Sequence, residues 1–188
     1  MRVLIADDDP IIRLDLRQML ETLGYQVVAE AEDGLAAVSL TKSESPDVCL
    51  LDVKMPSLDG IDAAGQIAEE GLAPTVLLTA YSDSELIERA KEAGVFGYLV
   101  KPFKPSDLGP AIEVARSRFE SNQILNREIS DLTERLEARR AIEKAKGILM
   151  KDQGLDESEA YRRIQTQSMN ARKSMREVAE AIILASEV

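Results

Sequence analysis

The 188-residue chain contains no histidine and no tryptophan, and only one cysteine. Without histidine, Ser-His-Asp and Cys-His catalysis and most zinc sites are excluded. Cys49 cannot form an intrachain disulfide; set in the apolar run Val48-Cys49-Leu50-Leu51, it reads as a buried thiol in a reducing compartment. Aromatic residues make up 4% of the chain, so the core must be aliphatic. No stretch approaches 18 continuous apolar residues, and the N-terminus runs straight into a strand pattern. This points to a cytoplasmic chain without signal peptide or membrane span.

The formal charge is −11, which taken whole argues against nucleic acid. It is unevenly spread. Residues 1–120 carry 11 basic and 22 acidic side chains, whereas residues 121–188 carry 12 of each. Such asymmetry indicates two modules with different partners.

Residues 1–120 alternate short apolar runs with amphipathic stretches. The runs are Val3–Ala6, Gln26–Ala29, Val48–Leu51, Thr75–Leu78 and Tyr98–Val100, separated by turn residues such as Gly24, Gly34, Pro46, Gly60, Gly71 and Gly94. Three of the runs are apolar throughout, as strands covered by helices on both faces are. Asp9-Pro10 has the form of an N-cap and first helical residue, and Ser82 with Glu85 that of a capping box. Five successive strand–helix units predict an α/β fold with a doubly wound, five-stranded parallel sheet.

From about residue 111 to 151 the pattern is that of one long helix. Within residues 121–138, Leu125, Ile129, Leu132 and Leu136 step by 4, 3 and 4, the spacing of a coiled-coil seam or of a helix packing on its own domain. Residues 139–188 read as a small three-helix, all-α domain. Asp156/Glu159 and Ser174/Glu177 have capping-box spacing. Ala160, Ile164 and Met169 form one apolar stripe; Met175, Val178, Ala179, Ile182 and Ile183 form another, closing on Ile148 and Leu149.

The chemistry gathers at the carboxyl ends of the strands, the ligand-binding edge of an open parallel sheet. Asp7-Asp8-Asp9 follow the first strand, Asp52 ends the third, Thr79 ends the fourth, and Lys101-Pro102 follow the fifth. Crowded carboxylates repel one another, raising a pKa or demanding a cation, and oxygen ligands without histidine suit Mg²⁺. Carboxylate, Mg²⁺, ammonium and hydroxyl make a phosphoryl-transfer site with aspartate as nucleophile. Asp7-x-Asp9 also resembles the motif of haloacid-dehalogenase-like phosphatases, but Pro10-Ile11 departs from that pattern, and that family does not need Asp52.

Val3-Leu4-Ile5-Ala6-Asp7-Asp8, Leu51-Asp52-Val53-Lys54-Met55-Pro56 with Asp59-Gly60, Leu78-Thr79-Ala80, and Gly97-Tyr98-Leu99-Val100-Lys101-Pro102-Phe103 resemble a response-regulator receiver domain of flavodoxin-like fold. The resemblance implies that Asp52 is the phosphoacceptor for a sensor histidine kinase. It implies Mg²⁺ held by Asp7, Asp8, Asp52 and the Lys54 backbone carbonyl. Thr79 and Lys101 would contact the phosphoryl group, Thr79 and Tyr98 would act as switch residues, and the Lys101–Pro102 bond would be cis.

In the second module basic residues cluster at Arg139-Arg140, Lys144, Lys146, Arg162-Arg163, Arg172, Lys173 and Arg176, interleaved with glutamates. Composition alone therefore leaves both a solvated surface and a nucleic-acid surface open. Tyr161 alone cannot build an aromatic single-strand platform. The strings Ala141–Met150, Glu159–Ile164 and Ser168–Ala179 resemble the ANTAR (AmiR and NasR transcription antitermination regulator) domain. That resemblance implies binding to mRNA leader hairpins and transcription antitermination, with Arg140, Lys144, Lys146, Tyr161, Arg172, Lys173 and Arg176 as RNA contacts. Together the two resemblances imply a two-component regulator rather than an enzyme, forming a homodimer on phosphorylation. The rivals are a DNA-binding response-regulator transcription factor, which needs a polar recognition helix, and a protein-interaction adaptor.

Overall fold

The computed structural model describes residues 1–80 and 84–186, with main chain only for 84–87. The Ser82/Glu85 capping box lies outside the described residues. In chain order the elements are β1 (Arg2–Ala6), α1 (Pro10–Thr22), β2 (Gln26–Ala31), α2 (Gly34–Glu44), β3 (Val48–Asp52), α3 (Gly60–Glu69), β4 (Thr75–Thr79), α4 (Ser84–Glu92), β5 (Gly97–Val100), α5 (Pro105–Gln153), α6 (Glu157–Ala171) and α7 (Met175–Ser186). They divide into two compact units, Met1–Ile124 and Leu125–Val188.

In the first unit the strands form a parallel sheet in the order β2-β1-β3-β4-β5. Successive side chains of a strand point to opposite faces, and the core divides accordingly. Leu4, Ala6, Cys49, Leu51 and Leu77 pack with Ile61 and Ile67 of α3 on one face. Val3, Ile5, Leu50, Val76 and Leu78 pack with Leu16 and Leu20 of α1 and with Leu108 and Ile112 of α5 on the other. Every residue of β3 and β4 is buried, which is why Val48–Leu51 and Val76–Leu78 are apolar on both faces. Burial pushes the Cys49 thiol up to about 12, and Thr41 Oγ1 lies 3.4 Å from its sulfur; the thiol is inert.

Asp9 caps α1, its side chain accepting from the Ile11 N–H at 2.8 Å with Pro10 at the first helical position. The long helix begins at Pro105, earlier than the expected start near residue 111, and runs through Gly109 and Pro110. Proline forfeits one main-chain bond there. Burial of Leu108, Ile112 and Ala115 under the sheet holds the turn in place. Farther along, Phe119 meets Phe96 edge-to-face at 5.3 Å, and Gln123 donates to the Gly71 carbonyl at 3.3 Å.

In the second unit Ala145 and Leu149 of α5, Ala160 and Ile164 of α6, and Val178 and Ala179 of α7 form one core. Two expectations need correction. Met169 is 73% exposed rather than part of the α6 stripe, because five residues after Ile164 a helix has turned its side chain away from the core-facing side. Ile148 also stays outside that core, where Ala141, Ile142 and Ala145 take the adjoining places. Both capping boxes form. Asp156 and Glu159 bond reciprocally at 2.8 and 3.0 Å, and Ser174 and Glu177 at 3.2 and 2.8 Å. Because Ile164 is fully buried in so small a core, Ile164→Ala should cost roughly 2–5 kcal/mol in this unit. Urea denaturation followed by far-UV circular dichroism would register the loss as an earlier transition of this unit, with the transition of the first unit unchanged.

Candidate phosphoacceptor site

Parallel register brings the ends of four strands to one edge. Ala6 pairs with Leu51, Asp52 with Leu78, and Thr79 with Val100, so Asp7, Asp52, Thr79 and Lys101 emerge side by side. They line a cavity of about 390 Å³ together with Asp8, Asp9, Ile12, Val53, Lys54 and Ala80. Lys101 bridges two of the lining carboxylates, with Nζ 2.7 Å from Asp7 Oδ2 and 2.5 Å from Asp52 Oδ1. The second oxygen of Asp52 accepts the Lys54 N–H at 2.8 Å, and Asp7 Oδ1 accepts the Asp9 N–H at 3.0 Å. The Lys101–Pro102 bond is cis, and the Lys101 N–H donates to the Thr79 carbonyl at 2.7 Å.

Burial is the largest influence on Asp52 and pushes its carboxyl up. Lys101, by hydrogen bond and by charge, and the Lys54 N–H pull it down, the negative charge of Asp7 pushes it up, and the net direction is above the ordinary carboxylate range. For Lys101 burial acts to lower the ammonium, but its hydrogen bonds to Asp52 and Asp7 outweigh that and hold it above the ordinary lysine range.

Of the expected metal ligands, Asp7 and Asp52 are buried and adjacent, Asp8 stands exposed at the rim, and Lys54 adjoins Asp52. Among the described residues no three carboxylates converge as a cage, since Lys101 stands between two of them. Mg²⁺ needs no cage: it uses one or two carboxylates and keeps its waters for phosphoryl oxygens. An all-oxygen donor set at the mouth of a cavity fits that ion. Tyr98, on β5, is 52% exposed.

Two supports were not foreseen from the sequence. Arg13 donates to the Asp7 carbonyl at 2.5 Å and lies 4.0 Å from Glu30. Its position four residues after the Asp9 cap, one helical turn on, was the available signal. Asp59 caps α3 and receives Arg89 of α4 at 2.9 Å. Burial raises the Asp59 carboxyl, but Arg89 and the Asp62 N–H hold it below its ordinary range. Gly60 is required by close approach, since a Cβ there would overlap the Asp52 carbonyl.

In the second unit, Arg140, Lys144, Arg172 and Lys173 are exposed and Tyr161 is half-exposed. Arg172 ends α6 in the left-handed region at φ 54°. The adjoining turn is closed by Ser168 Oγ donating to the Lys173 carbonyl at 2.6 Å. Lys146 does not join this surface. Its side chain is only 8% exposed, and Nζ lies 2.7 Å from Glu157 and 3.0 Å from Glu143. Its ion pair with Glu157 ties α5 to α6, although both carboxylates stay largely exposed to solvent. Arg176 is likewise engaged, at 2.8 Å from Glu180 and 2.9 Å from Glu137, and braces α7 against α5.

The family profile for the response regulator receiver domain matches residues 3–113, and that for the ANTAR domain matches residues 130–183. The chain is 50% identical over 182 residues to the transcriptional regulatory protein PdtaR of Mycobacterium tuberculosis, covering 97% of this chain and 89% of that one. The chain belongs to the response regulators. Its first unit also resembles the receiver domain of the putative response regulator NarL from Mycobacterium tuberculosis (TM-score 0.59, 32% identity), over 62% of this chain and 95% of that one. A receiver domain of a modulated diguanylate cyclase from Desulfovibrio desulfuricans aligns at TM-score 0.60 and 34% identity, over 64% of this chain and 97% of that one. Receiver domains bind Mg²⁺ at their phosphorylation site, in keeping with the regulator's donor set.

The direction at Asp52 has a consequence for stability. A carboxyl that holds its proton more tightly when folded leaves the fold less stable as pH rises above the ordinary value of 3.8. Asp52→Asn removes that proton exchange. Without divalent cations the variant should therefore melt above the wild-type regulator at pH 7, with the gap closing as pH falls below about 4. Melting curves across this range check it; a variant less stable at pH 7 would show that the Lys101 ion pair outweighs burial.

Proposed function

We propose that Asp52 accepts a phosphoryl group from a sensor histidine kinase and thereby controls binding of the second domain to mRNA leader hairpins and transcription antitermination. The observation that carries the first step is the buried Asp52 carboxylate held by Lys101 and the Lys54 N–H at the mouth of the strand-end cavity. In the transfer the phosphohistidine N–P bond breaks and a P–O bond forms at Asp52, the imidazole leaving group taking up a proton. Asp7, Asp8, Asp52 and the Lys54 carbonyl would hold Mg²⁺, which when bound would supply positive charge to the phosphoryl oxygens. Lys101 supplies a fixed positive charge to those oxygens, and Thr79 donates its hydroxyl.

On this reading the chain is a switch rather than an enzyme with turnover, and it works in the cytoplasm, where kinase and nascent RNA meet. Among the described residues no helix is long and apolar enough to cross a membrane. Phosphorylation biases the receiver between two conformations, with Thr79 and Tyr98 as the moving parts. A homodimer then presents two RNA-binding domains, and paired hairpins convert two weak contacts into one avid one.

Arg140, Lys144, Tyr161, Arg172 and Lys173 form the RNA surface that the exposure pattern supports. The DNA-binding alternative is less well supported, since α7 turns Val178 and Ala179 into the core and carries Ile182 and Ile183 packed against it. A recognition helix needs polar side chains for a groove.

Acetyl phosphate with Mg²⁺ should add one phosphate, as read by intact mass, and none to Asp52→Asn. Equal labelling of that variant would place the acceptor elsewhere. Hairpin RNA should bind more tightly than duplex DNA of equal length, and the affinity should fall with salt. Lys173→Glu should weaken binding and reduce the salt slope by about one. Lys146→Ala should instead lower the melting temperature of the domain.

A further inference from the structure

Arg13 stands on the first turn of α1, where its N–H donates to the Asp9 carbonyl at 3.0 Å. Helical side chains tilt toward the N-terminus of their helix, so a long one at this position lies back over the loop that joins β1 to α1. There Nη1 donates to the Asp7 carbonyl at 2.5 Å, and Nε lies 4.0 Å from Glu30 Oε2 on β2. The Arg13 side chain is only 17% exposed. Arg17, one turn on, donates to the other oxygen of Glu30 at 2.5 Å. One acidic side chain thus faces both arginines, and it offsets the charge of Arg13 beside a site that has to accept a dication.

The carbonyl that Arg13 meets lies just past the sheet. Ala6 makes the last pairings of β1, with Ala31 and Leu51, and the next peptide turns from the strand toward α1. That peptide carries the Asp7 carbonyl and the Asp8 N–H in one rigid plane. Asp7 itself is held at its other polar atoms as well. Its N–H donates to the Ala31 carbonyl at 3.3 Å, Oδ1 accepts the Asp9 N–H at 3.0 Å, and Oδ2 accepts from Lys101 at 2.7 Å. Asp8 is exposed at the rim, and its reach toward an ion beside Asp7 and Asp52 depends on the course of the main chain that leaves Asp7. Arg13 fixes that course at the Asp7 carbonyl. Mg²⁺ demands near-ideal octahedral geometry, so carboxylates that share it must keep a fixed separation.

We infer that Arg13 is a positioning residue for Mg²⁺, an inference that rests on the reading of Asp52 as the phosphoacceptor. It would touch neither the ion nor the phosphoryl group. By fixing the Asp7–Asp8 peptide it holds Asp8 within reach of the ion shared with Asp7 and Asp52. The sign of its effect is diagnostic. A guanidinium repels a dication, so if Arg13 acted through its charge alone, removing it would tighten Mg²⁺ binding. Positioning requires the opposite: removing the donor weakens Mg²⁺ binding although a positive charge has gone.

Full-length wild type, Arg13→Met, Arg13→Lys and Arg17→Gln are melted across a Mg²⁺ series at constant ionic strength. Phosphate uptake from acetyl phosphate is followed by intact mass over the same series. Mg²⁺ raises the melting temperature of a fold that binds it. In Arg13→Met the rise should set in at roughly tenfold higher Mg²⁺. Half-maximal phosphate uptake should move by the same factor, with the rate at saturating Mg²⁺ retained. Arg13→Lys keeps a charged donor within reach of the carbonyl and should recover most of the loss. Arg17→Gln removes a charge of the same sign from the same side of α1 without touching Asp7, and should leave both Mg²⁺ curves in place. A purely structural role would lower the melting temperature of Arg13→Met at every Mg²⁺ concentration without moving its Mg²⁺ dependence. That result, tighter binding in Arg13→Met, an equal shift in Arg17→Gln, or a wild type indifferent to Mg²⁺ overturns the inference and leaves Asp52 as the acceptor. Undiminished labelling of Asp52→Asn overturns the underlying reading, and the inference with it.

Discussion

The Lys101 ammonium, lodged between the Asp7 and Asp52 carboxylates, is the interaction on which the receiver site depends. It joins the ends of β1, β3 and β5, three strands that the chain reaches at widely separated points. Two buried carboxylates side by side would repel each other, and burial would drive protons onto them. A lysine fixed between them lets both stand together at the sheet edge. The same ammonium stands where the charge of an incoming phosphoryl group would arrive, so the resting contact and the proposed reactive one compete for a single cation.

Everything around this contact limits how far those groups can drift. Strand register sets the lateral spacing of Asp52, Thr79 and Lys101. The Lys54 N–H and the Asp9 N–H each hold one oxygen of the carboxylates they reach, and Arg13 grips the main chain at Asp7. Gly60 lets α3 begin against the Asp52 carbonyl, and Asp59, beside it, is tied to α4 by Arg89. A change of charge at Asp52 is therefore only a few contacts from α4 and β5, the elements that flank Thr79 and Tyr98.

The strands were legible because a parallel sheet buried on both faces requires unbroken apolar runs, as in Val48–Leu51 and Thr75–Leu78. The site residues were legible because each stands immediately after such a run. Capping was legible too, at Asp9, Asp156 and Ser174, since it depends only on residues two or three apart. Misreadings arose where a residue's role depends on partners distant in sequence. The long helix read as starting near residue 111, but burial of Leu108 and Ile112 lets it begin at Pro105 and run through Pro110. Lys146 read as one more surface cation in a basic run, but Glu157 across the α5–α6 turn captures it.

Local pattern alone thus determined the number and order of strands, the division into an acidic and a charge-balanced module, and the chemistry at the strand ends. These are properties of periodicity and of neighbouring residues, which a linear chain states directly. Tertiary structure decided which charges are available and which are consumed. Lys101 is shared by two buried carboxylates, Lys146 and Arg176 are bound in ion pairs, while Arg140, Arg172 and Lys173 remain on the surface. An ion pair is set by distance in space, and for residues ten to ninety positions apart only the packing of helices and strands establishes it.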